Sequence, residues 1–324
     1  MNAPLELRNL GTSGLRVSAV GLGCNNLGGR LDPSASRVVV QAALTHGITL
    51  FDTADRYPVT SPGRSEELLG DSLGRHRADV VVATKFGLPM DAAGVQRGAS
   101  RRYIMSAVEA SLRRLKTDWI DLYQVHTPDP HTPIEETICA LDDLIAQGKI
   151  RYAGCSNFAA WQVTDAIWTA KDLKRPAFIS CQDEYSLLAR DIERELVPAM
   201  VAHGLGFLPY FPLASGLLSG KYRGGAVPAG TRLTTTKPLI DQFLTEGNLA
   251  AAERLGAFAE AHGHTPLELA FSWLLARPVV GSVIAGASNP QQIEQNVAAA
   301  TWTFTADELA AIDALAPGPK KAGH

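Results

Sequence analysis

The constraint that narrows this chain's fold most is a rhythm. A short apolar run is followed by an amphipathic stretch of helical period, and the pair recurs eight times. The apolar runs fall at residues 20–23, 48–52, 80–85, 120–126, 150–155, 178–181, 206–210 and 283–285. The run Val80-Val81-Val82-Ala83-Thr84-Lys85 lacks in–out alternation, as expected of a strand covered on both faces. Between the runs lie helical patterns. In residues 101–115, for example, Ile104, Val108, Leu112 and Leu115 share one stripe. A predicted helix over 33–46 ends at Gly47, a C-terminal glycine cap. Ser65 is expected to cap the next helix, and Thr132-Pro133-Ile134-Glu135 reads as a capping box with proline at the first helical position. Further helices are expected over 192–203, 249–262, 266–276 and 290–299.

Eight alternating units predict an α/β fold of one domain over residues 1–324, a (β/α)8 or TIM barrel. Residues 7–18, with the turn Gly11-Thr12-Ser13-Gly14, read as an N-terminal β-hairpin outside the barrel. A long loop follows strand seven, from Leu213 to about Gly247. An extra C-terminal helix is expected over 306–315 and a disordered tail over 317–324.

Charge narrows the function classes. Thirty Lys and Arg stand against 33 Asp and Glu, a net charge of −3, so nothing electrostatic favours nucleic acid as a partner. No apolar run reaches the length of a membrane span, and residues 1–6 lack a basic-then-apolar leader. A cytoplasmic protein is the expectation. Cys24, Cys139, Cys155 and Cys181 have no metal-knuckle spacing and are expected to be reduced thiols. Three of them fall near strand ends, where oxidation would touch the site.

The chemistry sits where strands run out. Asp52, Lys85 and His126 each close an apolar run, and Tyr57 follows Asp52 in the next loop. Parallel barrels converge their strand C-termini on one mouth. A phenol beside a Lys–Asp pair and an imidazole makes a proton donor suited to carbonyl reduction. Rival readings are weaker. Gly21-Leu22-Gly23-Cys24-Asn25-Asn26 breaks the dinucleotide fingerprint at its third glycine. Asp52 with Asp55 gives no second strand-end carboxylate for a glycosidase. His126 and His131 have no further strand-end histidine to complete a metal site, so none is expected.

The ordered motifs resemble the aldo-keto reductase family over about residues 7–315. They include Asp52-Thr53-Ala54-Asp55-Arg56-Tyr57, Ala83-Thr84-Lys85-Phe86-Gly87, Gly154-Cys155-Ser156-Asn157-Phe158 and Gly286-Ala287-Ser288-Asn289-Pro290. The segment Gly216–Tyr222 looks most like bacterial reductases related to potassium-channel beta subunits. The resemblance implies an NADP(H)-dependent reductase of a small carbonyl compound, with NAD a weaker second choice. Tyr57 would be the general acid, its pKa lowered by Lys85, with Asp52 holding Lys85 and His126 polarising the carbonyl. Ser156, Asn157 and Gln182 would bind the nicotinamide amide and Tyr210 would stack on its ring. Gly23, Cys24, Asn25, Phe211, Pro212, Leu213 and Gly216 would line the cofactor site. Lys221 would approach the pyrophosphate. Gly286, Ser288, Gln292, Gln295 and Asn296 would hold the adenosine end, with Arg232 on the 2′-phosphate.

Three positions depart from the family pattern. Phe211 stands where serine is common, Gln292 where arginine is common, and Pro58 where glycine is usual. The resemblance equally implies a second reading, a slow-turnover nucleotide-binding sensor or regulatory subunit.

Overall fold

The computed structural model describes residues 5–222 and 231–316. The tail expected at 317–324 lies outside the described residues. Strands β1 (Leu7–Asn9) and β2 (Arg16–Ser18) pair antiparallel as the expected hairpin. Eight parallel strands follow: β3 (Val20–Gly23), β4 (Leu50–Asp52), β5 (Val81–Phe86), β6 (Ile120–Val125), β7 (Ile150–Ser156), β8 (Ser180–Glu184), β9 (Gly206–Tyr210) and β10 (Val283–Gly286). They pair in chain order, and β10 returns to β3. The last gap narrows at a bridge between Phe207 and Val280, where the Gly281 N–H donates to the Phe207 carbonyl at 2.9 Å. This is the (β/α)8 barrel, with helices packed outside.

The barrel contains two apolar layers. Outward strand residues pack on the helices; Ile104, Val108, Leu112 and Leu115 of the helix Arg101–Leu115 are all buried there. Inward residues Leu50, Ala83, Leu122, Leu208 and Ile284 form a separate interior cluster. The hairpin completes that cluster with Leu10 and Val17, both fully buried. The strands are short, and the lower end of the barrel would otherwise open the interior layer to water. Two aliphatic side chains stop it, each contributing about 1.5–3 kcal/mol by burial. Gly11 allows the close approach. It has φ +61°, and a Cβ there would come 2.4 Å from the Gly204 carbonyl oxygen.

Several element ends differ from expectation, each for a local reason. The helix Arg64–Leu73 starts behind Gly63, not Ser65. Ser65 is buried, and its hydroxyl donates to the Cys24 carbonyl at 2.8 Å and meets the Thr53 hydroxyl at 2.8 Å. It ties the ends of β3 and β4 instead of capping a helix. No capping box forms at Thr132, whose hydroxyl donates to Asp129 at 2.8 Å while the helix begins at Ile134. Helix 192–203 divides into a short turn, Asp191–Glu193, and Leu196–His203. Pro198 is tolerated only within a first turn, which sets that start. Strand six extends to Glu184 because its last residues are polar and lie at the mouth. The long loop after β9 carries a 3-10 turn at Ala214–Ser219 and helices at Arg232–Thr235 and Lys237–Phe243. The extra helix Ala306–Leu315 is present.

Gly11→Val tests the plug. The branched side chain is barred both by φ and by the backbone at 2.4 Å. We expect a loss of about 2–3 kcal/mol, read as a lower urea midpoint. A midpoint equal to that of the unaltered chain would show that the hairpin does not anchor the barrel floor.

Candidate active site

The mouth is organised around one carboxylate. Asp52 ends β4 and is 4% exposed. Its Oδ2 accepts from Lys85 Nζ at 2.7 Å, and Lys85 also donates to the Thr53 carbonyl at 2.9 Å. Its Oδ1 accepts from Gln182 Nε2 at 2.9 Å and from Gln124 Nε2 at 3.4 Å. Lys85 is completely buried. Burial alone would lower its pKa, but the Asp52 carboxylate reverses that by charge and hydrogen bond, and its pKa stands above the usual value. The ammonium is therefore retained.

Tyr57 lies over this pair. Its ring centroid is 5.4 Å from Lys85 Nζ and 5.7 Å from the His126 ring, which meets it edge-on at 85°. One expectation is corrected here. Burial raises the Tyr57 pKa more than Lys85 lowers it, and Asp52 raises it again, so the net shift is upward from 10.0. Burial is the main cause, and Asp52 offsets part of the ammonium's pull. The phenol is a protonated donor at neutral pH. Burial, and then Lys85, lower the His126 pKa to about 3, so the imidazole is neutral.

Neighbouring strand ends lock to one another. Asn157, at φ 60°, donates to the His126 carbonyl at 2.9 Å and to Ser156 Oγ at 3.0 Å. Asn157 Oδ1 accepts from the Tyr210 hydroxyl at 2.8 Å. Asparagine suits this left-handed backbone position. Tyr210 is thus held by its hydroxyl, with its ring on the cleft wall. Phe211 adopts φ 52°, and its ring packs edge-on against Tyr210 at 5.3 Å and Phe243 at 6.0 Å. Where serine is common in the family, this chain has an aromatic bridge from β9 to the helix Lys237–Phe243.

A cleft of about 820 Å³ runs from Tyr57 and His126 to the helix Pro290–Ala298. It is lined by all the residues expected to bind cofactor: Gly23, Cys24, Asn25, Asp52, Ser156, Asn157, Gln182, Tyr210, Phe211, Pro212, Leu213, Gly216, Lys221, Arg232, Gly286, Ser288, Gln292, Gln295 and Asn296. Lys85 sits behind the wall. At the far end Asn289 caps the helix, its Oδ1 accepting from the Gln292 N–H at 3.0 Å. Gln292 turns back and accepts from the Ser288 N–H at 2.7 Å. Arg232 reaches across to Asn25 Oδ1 at 3.0 Å and Asn26 Oδ1 at 2.6 Å. Asn26 in turn donates to the Ala287 carbonyl at 3.0 Å. Sequence reasoning missed Asn26, Gln124 and Arg30. Asn26 and Arg30 line the cleft, and only their place in the loop after β3 could have marked them.

Asp55 does not line the cleft. It is buried, and burial and then Glu66 raise its pKa well above the usual value. Glu66 itself is paired with Arg114 Nε at 2.7 Å. Cys155 and Cys181 are register partners on β7 and β8, with Sγ atoms 3.6 Å apart. Burial raises the Cys155 and Cys24 thiols, which keeps them protonated. Among the described residues no group of three or more His, Cys, Asp or Glu is placed to hold a metal ion. Nor is any described helix long and apolar enough to cross a membrane.

The chain as a whole has relatives among known proteins. The Aldo/keto reductase family profile matches residues 19–317, and the chain belongs to that family. It is 37% identical over 304 residues to a probable voltage-gated potassium channel subunit beta of Arabidopsis thaliana, covering 91% of each chain. It is 34% identical over 320 residues to L-glyceraldehyde 3-phosphate reductase of Escherichia coli, covering 95% of this chain and 92% of that one. An uncharacterized oxidoreductase of Bacillus subtilis, YrpG, is 34% identical over 323 residues, 97% of each chain.

The neutral imidazole gives a test of the site's burial. A histidine whose pKa is depressed on folding binds fewer protons than its unfolded form between about 3 and 6.5. Its contribution to stability is full above 6.5 and declines as pH falls below it. We expect the His126 ring resonances to stay constant from pH 8 to pH 5, assigned by comparison with His126→Gln. A midpoint near 6.5 would show an open, hydrated site.

Proposed function

We propose that the protein is an NADP(H)-dependent oxidoreductase that reduces an aldehyde or ketone to an alcohol, reversibly. The observation that carries this reading is the Tyr57 phenol above the buried Lys85–Asp52 pair, beside a neutral His126. Tyr57 gives its proton to the carbonyl oxygen. Lys85, as the ammonium, stabilises the phenolate that develops and gives up no proton of its own. Asp52 keeps Lys85 charged and in place. His126, neutral above about pH 3, can donate a hydrogen bond to the same oxygen without competing for the proton.

The cleft suits a nicotinamide dinucleotide. The Tyr210 ring offers a stacking face fixed by its hydroxyl bond to Asn157. Lys221 and Arg232 bring positive charge, and the N-terminus of the helix Pro290–Ala298 brings the positive end of its dipole, suited to phosphate. When bound, the reduced nicotinamide supplies the hydride. Ser156, Asn157 and Gln182 would orient its amide. Gln182 Nε2 is already committed to Asp52, so Gln182 Oε1 is the atom available for that contact.

Relatives named as channel beta subunits support a second reading, a binding protein that turns over slowly. A steady-state rate far below the single-turnover rate, across a panel of carbonyls, would favour it.

Tyr57→Phe should cost about 10²–10⁴-fold in single-turnover reduction. NADPH affinity by fluorescence should be unchanged. A variant keeping half its rate would remove Tyr57 from the role. Cofactor choice gives a second test. NADPH should bind more tightly than NADH, and Arg232→Ala should weaken NADPH selectively, because a charge-assisted bond is about twice as strong as a neutral one. Gln292→Arg should tighten NADPH by roughly 1–2 kcal/mol, about 5- to 30-fold. Equal dissociation constants for the two cofactors, unmoved by Arg232→Ala, would show that the site does not read the phosphate.

A further inference from the structure

The charged residues on the cleft wall are unevenly signed. They are Arg30, Lys221, Arg232 and Asp52, and Asp52 is taken by Lys85. The chain as a whole carries −3. Positive charge has therefore been gathered in one cleft of an acidic protein. Arg30 comes from the loop after β3, and Arg232 from the segment after β9, so two guanidiniums enter from different walls. They are near enough that burial and then Arg30's charge lower the Arg232 pKa. Like charges held together in a partly dry site repel, and an anion between them relieves the cost.

The loop that carries Arg30 is built to hold it. The Asn26 carbonyl accepts from the Gly29 N–H at 3.2 Å and the Leu31 N–H at 3.0 Å, and the Gly28 N–H donates to the Leu31 carbonyl at 2.9 Å. Arg30 thus stands on a pinned turn. The same turn gives Asn25 and Asn26 to the Arg232 guanidinium. One loop positions both cations.

We infer that Arg30 is a phosphate-binding residue for the bound dinucleotide, acting with Arg232 as an arginine pair across the cleft. This rests on the nicotinamide-dinucleotide reading and adds a residue to it. Guanidinium forks match phosphate oxygens in pairs, which a lysine cannot reproduce. A phosphomonoester carries about −1.5 to −2 at neutral pH, enough to balance two guanidiniums.

The test is a set of dissociation constants for NADPH and NADH, measured by nicotinamide fluorescence with Arg30→Gln and Arg30→Lys. The Arg30 side chain is exposed, so both variants should melt like the unaltered protein. Arg30→Gln should weaken NADPH roughly 10-fold. Arg30→Lys should recover only part of that loss. Loss for NADPH alone puts Arg30 with Arg232 on the 2′-phosphate and supports the pair; equal loss for both cofactors puts Arg30 on the diphosphate, away from Arg232, and overturns the pair. Constants within twofold of the unaltered protein for both cofactors overturn it. So does a rise in KM for a phosphorylated aldehyde with both cofactor constants unmoved, which would move Arg30 to the substrate. If the unaltered protein bound neither cofactor, the dinucleotide reading itself would fall.

Discussion

Lys85 brings a full charge to a position with no exposed surface, and the rest of the mouth is arranged around that fact. An isolated ammonium in such a place would lose its proton. It is kept by Asp52 at 2.7 Å and the Thr53 carbonyl at 2.9 Å, both supplied by the end of β4. Breaking a buried pair by removing one partner typically costs about 3–5 kcal/mol, because the other charge is left unanswered. Strands β4 and β5 are therefore held in register by the same contact that sets the chemistry. Gln182 and Gln124 occupy the second carboxylate oxygen, so β6 and β8 answer to Asp52 as well. Tyr57 and His126 take their electrostatic character from this centre. The phenol stays protonated because burial outweighs a lysine already half-neutralised, and the imidazole stays neutral because it is buried and, secondly, because that lysine is near.

The barrel was legible in the sequence because parallel strands and amphipathic helices write periodic patterns over many residues. The run through Val82 and Ala83 and the stripe from Ile104 to Leu115 need no knowledge of neighbours. Single-residue features were less legible. Ser65 looks like a helix cap, but a hydroxyl that can reach two buried partners on other strands is better used there. Strand six was placed short because Gln182, Asp183 and Glu184 break an apolar pattern, although polar ends are what a barrel mouth requires. Ordered motifs point to the candidate site, and the residues expected to bind cofactor line one cleft. What escaped was pairing across the fold. Gln124 reads as an ordinary strand residue until Asp52 is seen opposite it. Nothing local announces that Asn26 will meet Arg232, 206 residues away.

The segment after β9 shows how an irregular stretch acquires a definite position. Phe211 sets an aromatic contact to Phe243, and Gln242 donates to both Glu184 oxygens at 2.8 Å. Arg232 anchors the nearer helix to the loop after β3. One face of the segment is thus fixed by packing, another by hydrogen bonds, and the cleft lies between them. The sequence here shows prolines, glycines and apolar and polar residues without a period, since no period governs contacts to separate loops.

The hairpin at the opposite end bears on the mouth in a less direct way. Leu10 and Val17 stop the floor, and the interior layer above them leaves no channel through the barrel. All traffic must use the upper end. Tyr57 and Tyr210 both line the cleft at that end. A dozen residues outside the barrel thereby decide which end of it can receive a guest.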